Sequence, residues 1–330
     1  MYNTTKHRSA FWDNLKAILI FLVVLGHFLL PAVSDHGVLV KAVYFWIYLF
    51  HMPAFVFVSG YFSKRYVQKG GNDIKKLIGF LVLYALYCSP NWIISALHRD
   101  PILIFTPTGA QWYLLCMFLW YVLIPHCAKI KPAPMLFISV IVALLIGMDS
   151  GAGDFLTISR CIVFFPFFLI GFYFDSVEHA GIRKKLIAVS ILGLALACTF
   201  LFTDFFDQHS STLYGASAYA EILTGAASRF IWYVIAYILV VALLCIIPHK
   251  QLPFTYIGQR TLAIYILHRP IRGVLRIFGL YSHLNSDIQV LTVCIVISVI
   301  LTVILSTKII TNLLDNIFKF DYKILIKSST

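Results

Sequence analysis

Ten mostly apolar stretches fill this 330-residue chain: 15–33, 39–62, 74–97, 111–128, 134–149, 158–175, 186–203, 230–248, 260–280 and 287–307. About 20 apolar residues in a helix cross ~30 Å of hydrocarbon. The predicted fold is therefore an all-α, polytopic transmembrane helical bundle of about ten spans, a single integral membrane domain over 1–330. Residue content agrees: 60% is hydrophobic and only 12% charged, about half the charged share of a soluble domain. So much apolar surface cannot be hidden in a soluble core. A secreted small domain, a disordered chain and a DNA-binding module are excluded. Several spans contain Pro or Gly, which a bundle tolerates. The segment 204–229 is polar, with Asp204, Asp207, His209 and Glu221. Its second half, 218–228, reads as an interfacial helix or a short extra span.

Lys and Arg number 26 against 14 Asp and Glu, a net charge of +12. In a soluble protein that excess would point to nucleic acid; in a membrane protein it marks the cytoplasmic side. With the N-terminus cytoplasmic, 19 of the 26 basic residues fall on inner segments. The other seven are Lys41, Arg99, Arg160, Arg229, Arg269, Arg272 and Arg276. The expected location is a cell (inner or plasma) membrane, with no nucleic-acid partner. Residues 1–13 are polar and the apolar run after them lacks a small-residue cleavage site, so the first span reads as a signal anchor. Seven cysteines without CxxC spacing read as small buried hydrophobes. No zinc site, phosphate-binding glycine loop or serine elbow is legible, and no metal is expected.

Ionisable side chains inside spans are costly and thus candidates for function. The first span, DNLKAILIFLVVLGHF, carries Asp13, Lys16 and His27. At ~100° and ~1.5 Å per residue, His27 lies within ~20° of the Lys16 direction and ~16 Å further along, near mid-membrane. Asp13 lies within ~40° of His27 on the same face. An interfacial anchor plus a hydrogen-bonded core histidine would explain these residues equally well. His51 precedes Pro53 and Ser59-Gly60 in FHMPAFVFVSGYF. His268, Arg269, Arg272 and Arg276 share one span, with His268 and Arg272 four apart on one face. Guanidinium forks bind phosphate or carboxylate, whereas snorkelling to the headgroups is the simpler reading of Arg276. Arg160 and Arg229 begin their spans on the outer side, where they hold an anionic ligand or pair with Asp204, Asp207 and Glu221. The loop with Lys64, Arg65, Lys69, Lys75 and Lys76 is a topology signal that would also suit a phosphate-rich donor. Trp112 reads as an interface aromatic, or as a platform for a sugar ring.

In order along the chain, RSAFWDNLKAILIFLVVLGH, FHMPAFVFVSGYF, QWYLLCMFLWYVL, SRCIVFFPFFLIGFYF and IGQRTLAIYILHRP resemble the membrane-bound acyltransferase-3 family, most closely its fucose-4-O-acetylase-like branch. The likeness runs from Arg8 to the last span. Its most specific element is a basic residue, ten residues, then His, here Lys16 and His27. The resemblance implies transfer of an acyl group, usually acetyl, from acetyl-CoA as co-substrate to a sugar hydroxyl of a cell-surface polysaccharide or lipid-linked glycan. It implies His27 as catalytic histidine, Lys16 as its basic partner, and His51, Arg160 and His268 as further site residues, with Asp13 beside them. Lys64-Arg65 stands where some branches have Arg-x-x-Arg. Lys64, Arg65, Arg269 and Arg272 are the donor-binding candidates, and Trp112 and Arg229 the acceptor-binding ones. No extracytoplasmic hydrolase-like domain is legible, so transfer is expected to finish in this domain or in a partner.

Sugar hydroxyls are weak nucleophiles near neutral pH, and a positioned base contributes ~10²–10⁴-fold. His27 acts as general base or as a transient acyl carrier; sequence favours neither. Arg160 is a candidate for stabilising the oxyanion. The implied partners are a glycan or glycolipid acceptor and membrane lipid, with either a homo-oligomer or a glycan-assembly partner compatible. Two rivals use the same residues: a proton- or anion-coupled transporter, and an assembly subunit for which His27 is dispensable.

Overall fold

The computed structural model describes residues 9–98, 104–106, 109–153, 155–176 and 179–318. Lys6, Arg8, Arg99, Lys319, Lys323 and Lys327 lie outside them. Every regular element among the described residues is helical. In chain order the α-helices are α1 (Ala10–Leu29), α2 (Val38–Gln68), α3 (Ile74–His98), α4 (Trp112–Cys127) and α5 (Pro132–Leu145). Next come α6 (Ile158–Tyr173), α7 (Ile182–Leu201), α8 (Thr203–Gln208), α9 (Ser210–Tyr214) and α10 (Ile222–Ile246). The last four are α11 (Thr255–Gly258), α12 (Thr261–Ile277), α13 (Asp287–Leu305) and α14 (Lys308–Phe318).

The ten apolar stretches fall on α1–α7, α10, α12 and α13. Among the described residues six helices, α1, α2, α6, α7, α10 and α13, are long and apolar enough to cross a membrane, and α4 and α5 are shorter apolar helices. Large side chains such as Phe137, Leu186, Leu194, Phe230, Ile231 and Ile300 stand exposed on α5, α7, α10 and α13. Apolar surface on this scale is covered by lipid, not water. The protein is a multi-pass membrane protein. The stretch 218–228 is neither an interfacial helix nor an extra span: 218–221 are non-helical, and Ile222 already opens α10. The apolar run there is continuous with 230–246, so one helix of 25 residues takes it all.

The chain forms two compact units, one of residues 1–55, 176–207 and 237–317, the other of 56–175, 208–236 and 318–330. In the first, α1 packs against α11, α12 and α13. Gly258 lets α11 touch the start of α1, since a Cβ there would stand 1.7 Å from the Asp13 carbonyl oxygen. Asn14 Nδ2 donates to the carbonyls of Pro248 and Lys250, both at 2.9 Å. Thr255 Oγ1 donates to Asn14 Oδ1 at 2.5 Å and accepts from Leu252 N–H at 2.8 Å. The start of α1 is thus locked by a loop more than 230 residues away.

In the second unit α4 packs on α3 and α6, and α5 on α6. A Cβ on Gly60 would stand 1.9 Å from the Phe168 carbonyl oxygen, and one on Gly171 1.9 Å from that of Phe57. Two small residues thus bring the backbones of α2 and α6 together, the usual device where no hydrophobic force joins helices. Ser59 Oγ and Tyr113 Oη share a 2.5 Å hydrogen bond between α2 and α4. The seven cysteines are free thiols, with Cys88, Cys116, Cys161 and Cys294 buried.

Gly171→Ala is expected to lower the thermal midpoint in detergent by several degrees, since overpacking of this kind costs ~1–3 kcal/mol. Gly193→Ala, where an added Cβ meets nothing within 4 Å, is expected to leave it unchanged. Equal behaviour of the two would contradict the close approach.

Candidate active site

His27 lies in the last turn of α1, which runs from Ala10 to Leu29. The final carbonyls of any helix lack intrahelical partners, and here they are taken up by neighbours. Arg272 NH1 donates to the His27 carbonyl at 2.7 Å, and Tyr281 Oη to that of Phe28 at 2.7 Å. Cys294 Sγ also reaches the Phe28 carbonyl, at 3.5 Å. Burial pushes the Tyr281 phenol well above its ordinary range, so it stays a donor. These bonds hold the backbone that carries the imidazole.

The His27 and His268 rings stand 5.1 Å apart between centroids. His268 is fully buried, and its Nδ1 lies 2.9 Å from the Ile264 carbonyl. A carbonyl only accepts, so Nδ1 carries the hydrogen and Nε2 presents a lone pair. That Nε2 is buried without a hydrogen-bond partner, and so is His27 Nδ1. His51, buried in the middle of α2, repeats the pattern: its Nδ1 meets the Ile47 carbonyl at 2.8 Å, and its ring lies 4.7 Å from that of Tyr48. Gly26 admits Tyr48, whose Cε2 would be 3.1 Å from an added Cβ. His51, His268, Arg269 and Arg272 all lie within electrostatic reach of His27. Three of the expected histidines and two of the expected arginines are therefore one cluster. Arg276 is exposed, as snorkelling requires.

Lys16 is at the other end of α1. Its ammonium pairs with the buried Asp13 carboxylate at 2.8 Å, and Gln259 Nε2 donates to the same carboxylate at 3.1 Å. Asp13 suits the positive end of the helix dipole. The ion pair and the imidazole thus occupy opposite ends of one helix, ~16 Å apart along its axis.

The remaining candidates belong to the second unit. Leu156 and Thr157 hold left-handed backbone, with φ of 48° and 54°, uncommon for a β-branched residue. That turn launches α6 and sets Arg160 in its first turn. Arg160 Nε donates to the Tyr214 carbonyl at 3.2 Å, and its guanidinium carbon lies 5.9 Å from the Trp112 ring centre. Trp112 is buried and stacked on Phe164 at 5.0 Å. Lys64 donates to the Phe174 carbonyl and stands 3.6 Å from Asp175, while Arg65 is exposed. A cavity of about 740 Å³ opens beside this basic stretch, lined by Tyr66, Gly71, Leu77, Pro125, His126 and Lys129 among others. Arg229 is fully buried, with no carboxylate partner among the described residues. Of the acids proposed for it, Asp207 pairs with Lys41 at 2.6 Å. No group of three or more His, Cys, Asp or Glu suited to a metal occurs among the described residues.

Residues 9–307 match the acyltransferase domain of the acyltransferase-3 family. The chain belongs to that family. It is 27% identical over 219 residues to Nodulation protein NolL of Mesorhizobium japonicum (strain LMG 29417 / CECT 9101 / MAFF 303099), a match covering 60% of this chain and 57% of the relative. The chain thus spans less than two thirds of that relative's length. No solved structure matches it. Tyr48, Gln259, Thr255 and Tyr281 were not among the residues singled out from sequence. Each is an ordinary loop or helix residue whose role exists only through a distant partner.

Thr255→Val should strand Asn14 Oδ1 and the Leu252 N–H, a loss of ~1–3 kcal/mol. A thermal midpoint lowered by a few degrees is the expected result. Thr311→Val removes a hydroxyl that bonds only carbonyls of its own turn and is expected to be near neutral.

Proposed function

We propose that this acyltransferase moves acetyl from acetyl-CoA to a sugar hydroxyl of a cell-surface polysaccharide or lipid-linked glycan. His27 acts as the general base. The observation that carries this reading is the pair of buried imidazole nitrogens, His27 Nδ1 and His268 Nε2, without partners on rings 5.1 Å apart. Donation from His27 Nδ1–H to the His268 lone pair would leave His27 Nε2 as the basic atom, and His27 Nε2 is not among the buried unpartnered atoms. A neutral imidazole has the basicity for such a step near pH 7.

In the reaction His27 Nε2 takes the hydroxyl proton while the sugar oxygen bonds to the thioester carbonyl carbon. The tetrahedral oxyanion collapses, the C–S bond breaks, and the coenzyme A thiolate leaves with the proton from His27. The sugar keeps the acetyl ester. Arg269 and Arg272 lie within reach of the charge that develops beside His27, where fixed cations act most strongly. The basic stretch from Lys64 to Lys76 in the second unit, next to the 740 Å³ cavity, suits the phosphates of the donor.

Membranes carrying wild-type protein or His27→Ala at matched expression are given acetyl-CoA labelled in the acetyl group. Base-labile label is expected in glycan with wild type, reduced at least ~10²-fold in His27→Ala. Equal label with both would remove His27 from the chemistry. His268→Leu is expected to slow transfer substantially, and His268→Gln, which restores an acceptor, to recover part of it. Indistinguishable rates for the two would contradict the pairing.

A further inference from the structure

Arg229, in the second turn of α10, is among the largest fully enclosed side chains of the protein, with 1% of its surface exposed. Its NH1 donates to the Ala143 carbonyl at 3.1 Å and NH2 to that of Ser217 at 3.4 Å. The guanidinium carbon lies 4.5 Å from the centre of the Tyr219 ring. Nε makes no hydrogen bond. A guanidinium has five N–H donors and a full charge, and two carbonyls neither occupy the donors nor neutralise the charge. Buried charges are ordinarily paired. Ion pairing with Glu221 would complete the account, but Glu221 is exposed and makes no ion pair with Arg229.

The same guanidinium forms part of the wall of a cavity of about 180 Å³, equivalent to about six water volumes. The rest of that wall is mostly polar and includes Gln208, His209 and the exposed Glu221. Hydroxyls of Ser211, Thr212, Ser217, Thr224 and Ser228 line it, with the Tyr219 ring at one side. Tyr219 is itself fixed: its Oη donates to the Leu144 carbonyl at 2.9 Å and its N–H to that of Gly147 at 2.7 Å. Gly147 and Gly225 give the ring its place, since a Cβ on either would approach it to 2.3 or 2.5 Å. Hydroxyls that both donate and accept and one buried, fixed cation are what a sugar ring bearing an acidic group requires.

We propose that this cavity is a subsite for a sugar carrying a carboxylate or phosphate, with Arg229 as its counter-charge. Its role as the acceptor subsite rests on the acyl-transfer reading; its binding of an anionic sugar does not. The carboxylate of a uronic acid and the phosphate of a glycosyl phosphate share the recognising chemistry, and binding separates them.

Purified full-length protein in nanodiscs is titrated with glucuronate, glucose 1-phosphate, inorganic phosphate and glucose, followed by ligand-observed NMR and calorimetry. At least one anionic sugar is expected to bind tenfold or more tightly than glucose and than inorganic phosphate. Arg229→Gln is expected to weaken that binding at least tenfold. Ser228→Phe, which keeps Arg229 and fills the cavity, is expected to abolish it. It also keeps the test alive if the glutamine variant fails to fold. Equal binding of glucose, anionic sugars that bind wild type and Ser228→Phe alike, or no anionic-sugar binding would each overturn the site. With labelled acetyl-CoA, acetyl transferred to the bound anionic sugar supports the acceptor role. Anionic-sugar binding with no transfer to any glycan would overturn the transfer reading and leave the site standing.

Discussion

A helix that ends inside protein or lipid must still satisfy its last carbonyl groups, and in α1 that requirement organises the candidate site. The carbonyls of His27 and Phe28 receive the Arg272 guanidinium, the Tyr281 phenol and the Cys294 thiol. Water would satisfy them equally well at a surface; here side chains do it, and they fix the orientation of the residue they cap. An imidazole on a frayed helix end would sample many positions. One on a backbone held by a charge-assisted 2.7 Å bond stays against His268.

The far end of α1 is secured by different means. Asn14, Thr255 and the Gly258–Asp13 approach fasten it to the loop before α12, and Asp13 draws in Lys16 and Gln259. The same short segment therefore carries the clamp for the start of α1 and leads directly into α12, which supplies His268, Arg269 and Arg272. Chain connectivity couples both ends of α1 to one neighbour. This gives a physical reason for ionisable residues being concentrated in α1 and α12, two helices in which lipid would otherwise penalise them.

Much of this is legible in the sequence. Apolar run length located ten helices, since lipid leaves few alternatives to a helix. The cost of an intramembrane charge singled out His27, His51, His268, Arg269 and Arg272, which the structure gathers into one cluster. Two features were not legible. The clamp on the start of α1 comes from residues 234 to 246 positions away, beyond the reach of any local pattern. Sequence leaves the state of Arg229 between an ion pair and a ligand site, because periodicity cannot say which acid a buried guanidinium meets. Asp207 is taken by Lys41, which no local pattern announces.

The central claim, that His27 is a reactive base held by His268, is tested most directly by chemical modification. Purified protein is treated with diethyl pyrocarbonate and each histidine is followed by peptide mass spectrometry alongside acetyl transfer. The account predicts that loss of transfer tracks modification of His27, that acetyl-CoA slows both, and that His268→Leu slows His27 modification. Loss of transfer while His27 remains unmodified, or a His27 rate indifferent to His268, would contradict it.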